Sequence, residues 1–307
     1  MNLPDEHANV NPTGPAYTGT MIQRIAILGT GLLGTSVGLA LRSAGFSGSI
    51  AGWNRGAAGA EQALAMRAID SIATDPLTAA REAQVTLLAV PIYATLDLME
   101  QLAGILGPEH LVTDVGSTKG QITAAATRLY NTPQRAAFLP GHPMAGKERG
   151  GAELADPNLF RNAVWLFTDD PAWQRSIAGN ALVREWRELV AAMGSRTIDI
   201  DPARHDEMVA WVSHLPQFTA TALSALLEDE VGDAPELKDV GGRALREMTR
   251  LGASPFSMWR DVAATNTAAV ERALLALEQR LQHIRENLRG PALREEFERA
   301  NKFRREP

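Results

Sequence analysis

The chain has 307 residues, 45% of them hydrophobic and 21% charged, enough for two domains that each bury a core. A formal net charge of −6 argues against nucleic acid as the main partner, and the absence of cysteine excludes disulfides and thiolate chemistry. No apolar run approaches the roughly 18 residues of a membrane span, and the cysteine-free composition fits a cytoplasmic protein.

Residues 1–20 contain Pro4, Pro12, Gly14, Pro15 and Gly19 and no apolar stretch, which is expected of a disordered leader and not of a signal peptide. The apolar run from Ile25 then ends in Gly29, Gly31 and Gly34 and leads into a helical pattern over Ser36–Arg42. This strand, glycine turn and helix form the context that a G-x-G-x-x-G motif needs to hold a dinucleotide. Gly29 permits the tight turn, Gly31 lets the backbone approach a pyrophosphate, and Gly34 lets the helix pack closely on its strand. Leu32 and Leu33 belong to the same phosphate-facing helix start.

Further candidate strands are Ser49–Trp53, Val85–Val90, Leu111–Asp114, Ala136–Leu139 and Ala163–Phe167, with helical patterns at Ala57–Ala68, Ala94–Leu106 and Lys119–Tyr130. Such alternation predicts a parallel sheet with helices on both faces over residues 21–170, its ligands bound outside the carboxyl ends of the strands. Val90 and Pro91, at one such end, join the cofactor-binding candidates. The pattern changes after Pro171. Trp173–Met193 reads as a long helix, Arg196–Ile200 as at most a short strand, and Pro202–Leu227 as a helix kinked at Pro216. A last helix is expected from Phe256 to about Leu288, too long for one small domain to bury, which points to a dimer built on residues 171–290. Residues 291–307 read as a charged, solvated tail.

The cofactor can be argued from the second strand. NAD sites usually place an acidic residue about 20 positions past the glycines, whereas an arginine there accommodates the 2′-phosphate of NADP. This chain has Asn54 and Arg55 at that place, so NADP is expected, with NAD as the alternative. Chemistry is concentrated in three further runs: Asp114-Val-Gly-Ser-Thr-Lys-Gly120, where the Ser117 hydroxyl and the Lys119 ammonium can face the cofactor, Gly141-His-Pro-Met-Ala-Gly-Lys-Glu148, and His205 with Ser213-His-Leu-Pro-Gln217. His7, His110 and His283 read as surface residues, and Lys119 and Lys147 as solvated.

Together with Met258-Trp-Arg-Asp261, these motifs stand in the order and approximate spacing of the prephenate/arogenate dehydrogenase (TyrA) family, which the chain resembles from about Arg24 to Leu288. The resemblance implies an α/β Rossmann-type N-terminal domain with a parallel-rich sheet and an all-α C-terminal dimerisation domain. It implies oxidative decarboxylation of prephenate in tyrosine biosynthesis, or of arogenate as the alternative substrate. With no chorismate mutase segment before these motifs and no regulatory domain after them, the monofunctional form is expected. By the same resemblance His142 polarises the ring hydroxyl of the substrate, Ser117 bonds both that histidine and the substrate, and Arg250 holds a substrate carboxylate. His214 and Gln217 lie on the substrate side, Trp259 walls the pocket, and His205 is a further substrate-side candidate.

Each residue also has a simpler role to weigh. His142 could be a turn residue, Ser117 a cap for a helix beginning at Thr118, Arg250 the partner of Glu247 and His205 a helix brace. Two other classes compete. Two-domain β-hydroxyacid dehydrogenases use a lysine on the first long helix of the second domain, and no lysine lies between Pro171 and Leu237 here. A non-enzymatic NADP sensor would need the glycine loop but not the histidines and arginine.

Overall fold

The computed structural model describes residues 17–168 and 179–305, so the expected leader as far as residue 16, His7 and the start of the Trp173 helix lie outside the described residues. The chain divides into two compact units: one takes the chain through His205 with Ser254–Asp261, the other Asp206–Ala253 and Val262 onward.

The first unit is built on a six-stranded parallel sheet. Its strands are β1 (Arg24–Leu28), β2 (Ser49–Trp53), β3 (Ser71–Ile72), β4 (Val85–Leu88), β5 (Leu111–Asp114) and β6 (Ala137–Leu139), in the order β3-β2-β1-β4-β5-β6. Helices α1 (Leu32–Ser43), α2 (Ala57–Ala65), α3 (Pro76–Glu82), α4 (Ile92–Ala103) and α5 (Gly120–Tyr130) connect them. β4 and β5 are buried throughout and β1 in all but its first residue, because both faces of a parallel sheet are covered. The order reverses between β1 and β4, which opens a crevice at their carboxyl ends.

One expected strand belongs elsewhere. β8 (Val164–Thr168) leaves the large sheet and pairs antiparallel with β7 (Gly141–Pro143) and parallel with β9 (Arg196–Ile200). The domain boundary moves with it. Helix α6 (Ala181–Ala192) and β9, expected beyond residue 170 in the second domain, cluster with the first unit. The reason is burial: Leu182, Val183, Trp186, Leu189 and Val190 form one stripe of α6 and join the core that contains Ile25, Ile27, Val85 and Trp165. Each such side chain contributes on the order of 1.5–3 kcal/mol by leaving water. Glu185, on the same helix and 5% exposed, accepts hydrogen bonds from the backbone N–H groups of Met21 (3.0 Å) and Ile22 (3.0 Å) and from the Tyr17 hydroxyl.

The second unit is helical. Helix α7 (Pro202–Val209) crosses from the first unit into it, a π-turn follows at Ala210–His214, and α8 (Leu215–Val231) begins with Pro216 in its first turn. Pro216 has no N–H and its ring crowds the carbonyl four residues back, so the expected kink takes the form of a wider turn. Short helices α9 (Leu237–Val240) and α10 (Arg243–Thr249) and a 3-10 turn at Arg250–Ala253 come next. Gly252 approaches α8 so closely that a Cβ there would lie 2.3 Å from Ser224 Oγ.

The single long helix expected from Phe256 is two helices, α11 (Phe256–Thr265) and α12 (Thr267–Glu286). Asn266 separates them with φ −133° and ψ 30°, and its side-chain amide donates to the Asp206 carbonyl (2.8 Å). Beyond Gly290 the charged stretch forms helix α13 (Pro291–Arg305), tied to α12 by Arg280 and Glu296 (2.7 Å).

Candidate active site

The site begins at the turn between β1 and α1. Gly29 has φ +107°, and a Cβ there would fall 2.3 Å from the Ala89 carbonyl oxygen. At Gly34 a Cβ would fall 1.9 Å from the Gly29 oxygen, which is the close helix–strand contact read from the motif. Gly31 differs from both: a Cβ there would meet nothing within 4 Å. Gly31 is also the N-cap of α1, and no side chain caps that end. Open space over bare N–H groups at the positive end of a twelve-residue helix fits the pyrophosphate of a dinucleotide. Leu32 is buried and Leu33 half-buried in the first turn, and Val90 and Pro91 follow β4 at the same edge of the sheet.

After β2 come half-buried Asn54 and exposed Arg55, just before the start of α2. Asn54 donates to the Gly56 carbonyl (3.2 Å), and Gly56 caps α2 without a side chain. The run Trp53-Asn-Arg-Gly56 that follows β2 carries an arginine and no acidic residue.

The loop after β5 carries half-buried Ser117. Helix α5 starts at Gly120 with Lys119 at its N-cap, so Ser117 is not the cap of a helix beginning at Thr118. Lys119 corrects the sequence reading: it is 0% exposed, forms an ion pair with fully buried Asp114, and donates to the Gly141 carbonyl oxygen (2.8 Å). Asp114 also accepts from Gly116 N–H (2.7 Å) and Gly141 N–H (3.1 Å). The two charges of the Asp114–Gly120 run are thus spent inside the protein, a role that their spacing alone did not distinguish from a solvated loop. Lys147 is exposed, as expected, and donates to the Leu154 carbonyl (2.7 Å).

His142 stands on β7, 8% exposed. Its Nδ1 lies 2.8 Å from Nε2 of His205, which is fully buried in α7, with the two rings inclined at 60°. Residues 63 positions apart therefore form one imidazole pair. One nitrogen of that contact must carry a lone pair, so the pair cannot be doubly protonated while the bond stands. Trp259, half-buried on α11, also belongs to the first unit.

The other predicted residues lie in the second unit. His214 is 1% exposed, with Nδ1 3.4 Å from the Asn266 amide nitrogen. Gln217, 4% exposed, donates through Nε2 to the Leu251 carbonyl (2.7 Å) and to Thr221 Oγ1 (3.2 Å). Arg250 is exposed at the end of α10, and its suggested partner Glu247 accepts from Arg243 (2.6 Å).

Two of the histidines set aside have different fates. His283 is exposed, but His110 is 9% exposed with its ring nitrogens 3.3 Å from the carbonyls of Gly107 and Arg81. A cavity of about 630 Å³ lies near His110, lined also by Arg24, Arg81 and Gln84. It sits at the amino ends of β1, β4 and β5, the edge of the sheet opposite the glycine turn and His142. Among the described residues no cluster of metal-ligating side chains is present, and no helix is long and apolar enough to cross a membrane.

Comparison with known proteins identifies the family. Residues 37–197 match the family model for the prephenate dehydrogenase nucleotide-binding domain, and residues 201–303 the model for the prephenate dehydrogenase dimerization domain. Prephenate dehydrogenase of Lactococcus lactis subsp. cremoris is 32% identical over 266 residues, covering 86% of this chain and 70% of that protein. Among solved structures, prephenate dehydrogenase from A. aeolicus in complex with hydroxyphenyl propionate and NAD+ superposes with a TM-score of 0.77 at 26% identity, over 93% of this chain and 96% of that one. Synechocystis arogenate dehydrogenase gives a TM-score of 0.72 at 27% identity, over 92% and 99%. The chain belongs to the prephenate dehydrogenase family.

Proposed function

We propose that this chain is an NAD(P)-dependent oxidoreductase that converts prephenate to 4-hydroxyphenylpyruvate with loss of carbon dioxide. The observation that carries the reading is His142, bonded through Nδ1 to His205 at the carboxyl edge of a sheet whose first turn fits a dinucleotide. The bound nicotinamide supplies the acceptor for the hydride that leaves C4 of the substrate ring.

His142 then has a definite task. If its Nδ1–H donates to His205 Nε2, its own Nε2 carries the lone pair and can accept the proton of the substrate's 4-hydroxyl as the C4–O bond becomes a carbonyl. The bond from C1 to its carboxylate breaks, carbon dioxide departs, and the electron pair enters the ring to make it aromatic. The phenolate oxygen formed takes back the proton from His142. Ser117 is assigned a hydrogen bond to the substrate hydroxyl, and Arg250 a substrate carboxylate, which a guanidinium holds with two parallel bonds. His214 and Trp259 are assigned to the substrate as well.

Gly29, Gly31, Leu32, Leu33, Gly34, Asn54, Arg55, Val90, Pro91 and Ser117 are assigned to the cofactor. Arg55, in a run after β2 that has no acidic residue, supports NADP as the preferred form, since an arginine at that place can hold a 2′-phosphate. The second unit's match to a dimerization domain supports a homodimer. The cysteine-free composition supports a cytoplasmic location.

One residue favours a second substrate. Gln217 is uncharged, and its Nε2 is engaged by Leu251 and Thr221. A neutral side chain does not repel the ammonium group that distinguishes arogenate from prephenate, so we propose arogenate as a competing substrate. The test is a two-by-two assay of prephenate and arogenate with NAD and NADP. Turnover of prephenate is expected, fastest with NADP, together with measurable turnover of arogenate. Inertness in all four combinations would overturn the main reading. A Gln217→His variant should shift kcat/KM toward prephenate by several-fold, about 1 kcal/mol of discrimination, and an unchanged preference would remove the second substrate.

A further inference from the structure

We propose that the buried Asp114–Lys119 pair is the positioning device of the reaction, setting His142 and the Ser117 loop relative to one another. This rests on the reading of His142 given above. Asp114 is the last residue of β5, and three bonds spread from its carboxylate: Gly116 N–H and the Lys119 ammonium on Oδ2, and Gly141 N–H on Oδ1. Lys119 in turn holds the Gly141 carbonyl at 2.8 Å. Both backbone groups of Gly141 are therefore gripped by one ion pair, and Gly141 is the residue that delivers the chain into His142.

The position of this grip matters. Between Leu139 and Gly141 the chain leaves the six-stranded sheet at the end of β6 and enters the small sheet as β7. At such a crossing the ladder of the large sheet no longer dictates where the backbone goes. Asp114 and Lys119 tie the crossing to β5, and the same two residues enclose Ser117 in the loop between them. Space around the grip is tight: a Cβ on Gly141 would lie 2.8 Å from the Asp114 carbonyl oxygen, and one on Gly116 would lie 2.8 Å from Asp114 Oδ2.

Charge burial makes stability an insufficient explanation. A fully desolvated ion pair is often no more stabilising than apolar side chains of similar volume, and in some proteins such groups are kept for the geometry they specify. Asp114 and Lys119 are thus positioning residues that act through His142 and Ser117.

The pair is tested by two double variants that each remove both charges. Asp114→Asn/Lys119→Met loses the donor to Gly141, and Asp114→Asn/Lys119→Gln keeps one. The first should stay folded with a lowered thermal midpoint, because Asn offers one acceptor where Asp114 offers two, and should lower kcat about 100-fold, the size expected for misplacement of a catalytic group by about 1 Å. Its KM for prephenate, and its Kd for NADP+ from fluorescence titration, should stay within about threefold of the wild type. The second should recover about tenfold of the lost kcat. A folded methionine variant with nearly wild-type kcat, equal losses in both variants, weakened NADP+ binding in step with kcat, or failure of both to fold would each overturn the proposal. His142→Asn run in parallel separates the two claims: an active His142→Asn enzyme refutes the reading of His142 itself, whatever the clamp variants do.

Discussion

At the scale of single residues, the informative contact is between two imidazoles. An isolated histidine chooses either tautomer, but the 2.8 Å bond from His142 Nδ1 to the buried His205 Nε2 ties the choice at one ring to the choice at the other. If the tautomer with Nδ1–H on His142 is the working one, the two residues differ in what their loss removes. His142→Asn removes the proton acceptor and should lower kcat by about 10²–10⁴ with NADP+ affinity unchanged. His205→Ala leaves the acceptor but not its orientation, and should cost about 10–10² in kcat with less effect on KM. Steady-state kinetics with a parallel cofactor titration check both; a His205→Ala enzyme as fast as the wild type would mean that His205 only braces α7.

At the scale of elements, the two helix starts near the cofactor do different work. The start of α1 presents open space over Gly31 and suits any dinucleotide. The start of α2, with Asn54 and Arg55 before it, is where the two cofactors differ, because only NADP brings a phosphate to the end of the second strand. Replacing Asn54 by Asp and Arg55 by Ala restores an acceptor for the ribose and removes the phosphate partner. A charge-assisted bond of about 1.5–3 kcal/mol corresponds to a shift of roughly 10–100-fold in the ratio of NADP+ to NAD+ affinity, measured by titrating each cofactor. A wild type that already binds NAD+ more tightly would show that Arg55 contributes nothing at this strand end.

At the scale of the whole molecule, the second unit leaves a large amount of apolar side chain in water. Val240 is 76% exposed and Phe303 79%, and Leu226, Met248, Leu275, Leu281, Leu288 and Phe297 are also exposed. Single apolar residues on a surface need no explanation, but so many within one small helical unit are what a dimerization domain shows until its partner covers them. The expected outcome is a dimer in sedimentation equilibrium and a thermal midpoint that rises with protein concentration. A monomeric mass with a concentration-independent midpoint would count against the dimer.

What the sequence determined by itself was set by neighbours along the chain. The glycine turn, the alternation of strands and helices and the arginine in place of an acid after the second strand each depend on residues close to one another along the chain. Motif order also carried the family, because a combination of spaced runs is far more specific than any one of them. Tertiary structure alone decided the rest. Val164–Thr168 joins the small sheet because its partners are Gly141–Pro143 and Arg196–Ile200, and α6 belongs to the first unit because its apolar stripe finds that core. The helix expected to be continuous breaks at Asn266, whose amide is taken by the Asp206 carbonyl sixty residues earlier. Lys119 is buried because Asp114 and the Gly141 carbonyl converge on it, and His205 is paired because β7 brings His142 to it. A charged side chain reads as solvated until its partners are known, and partners distant in sequence become neighbours only when the sheets have formed.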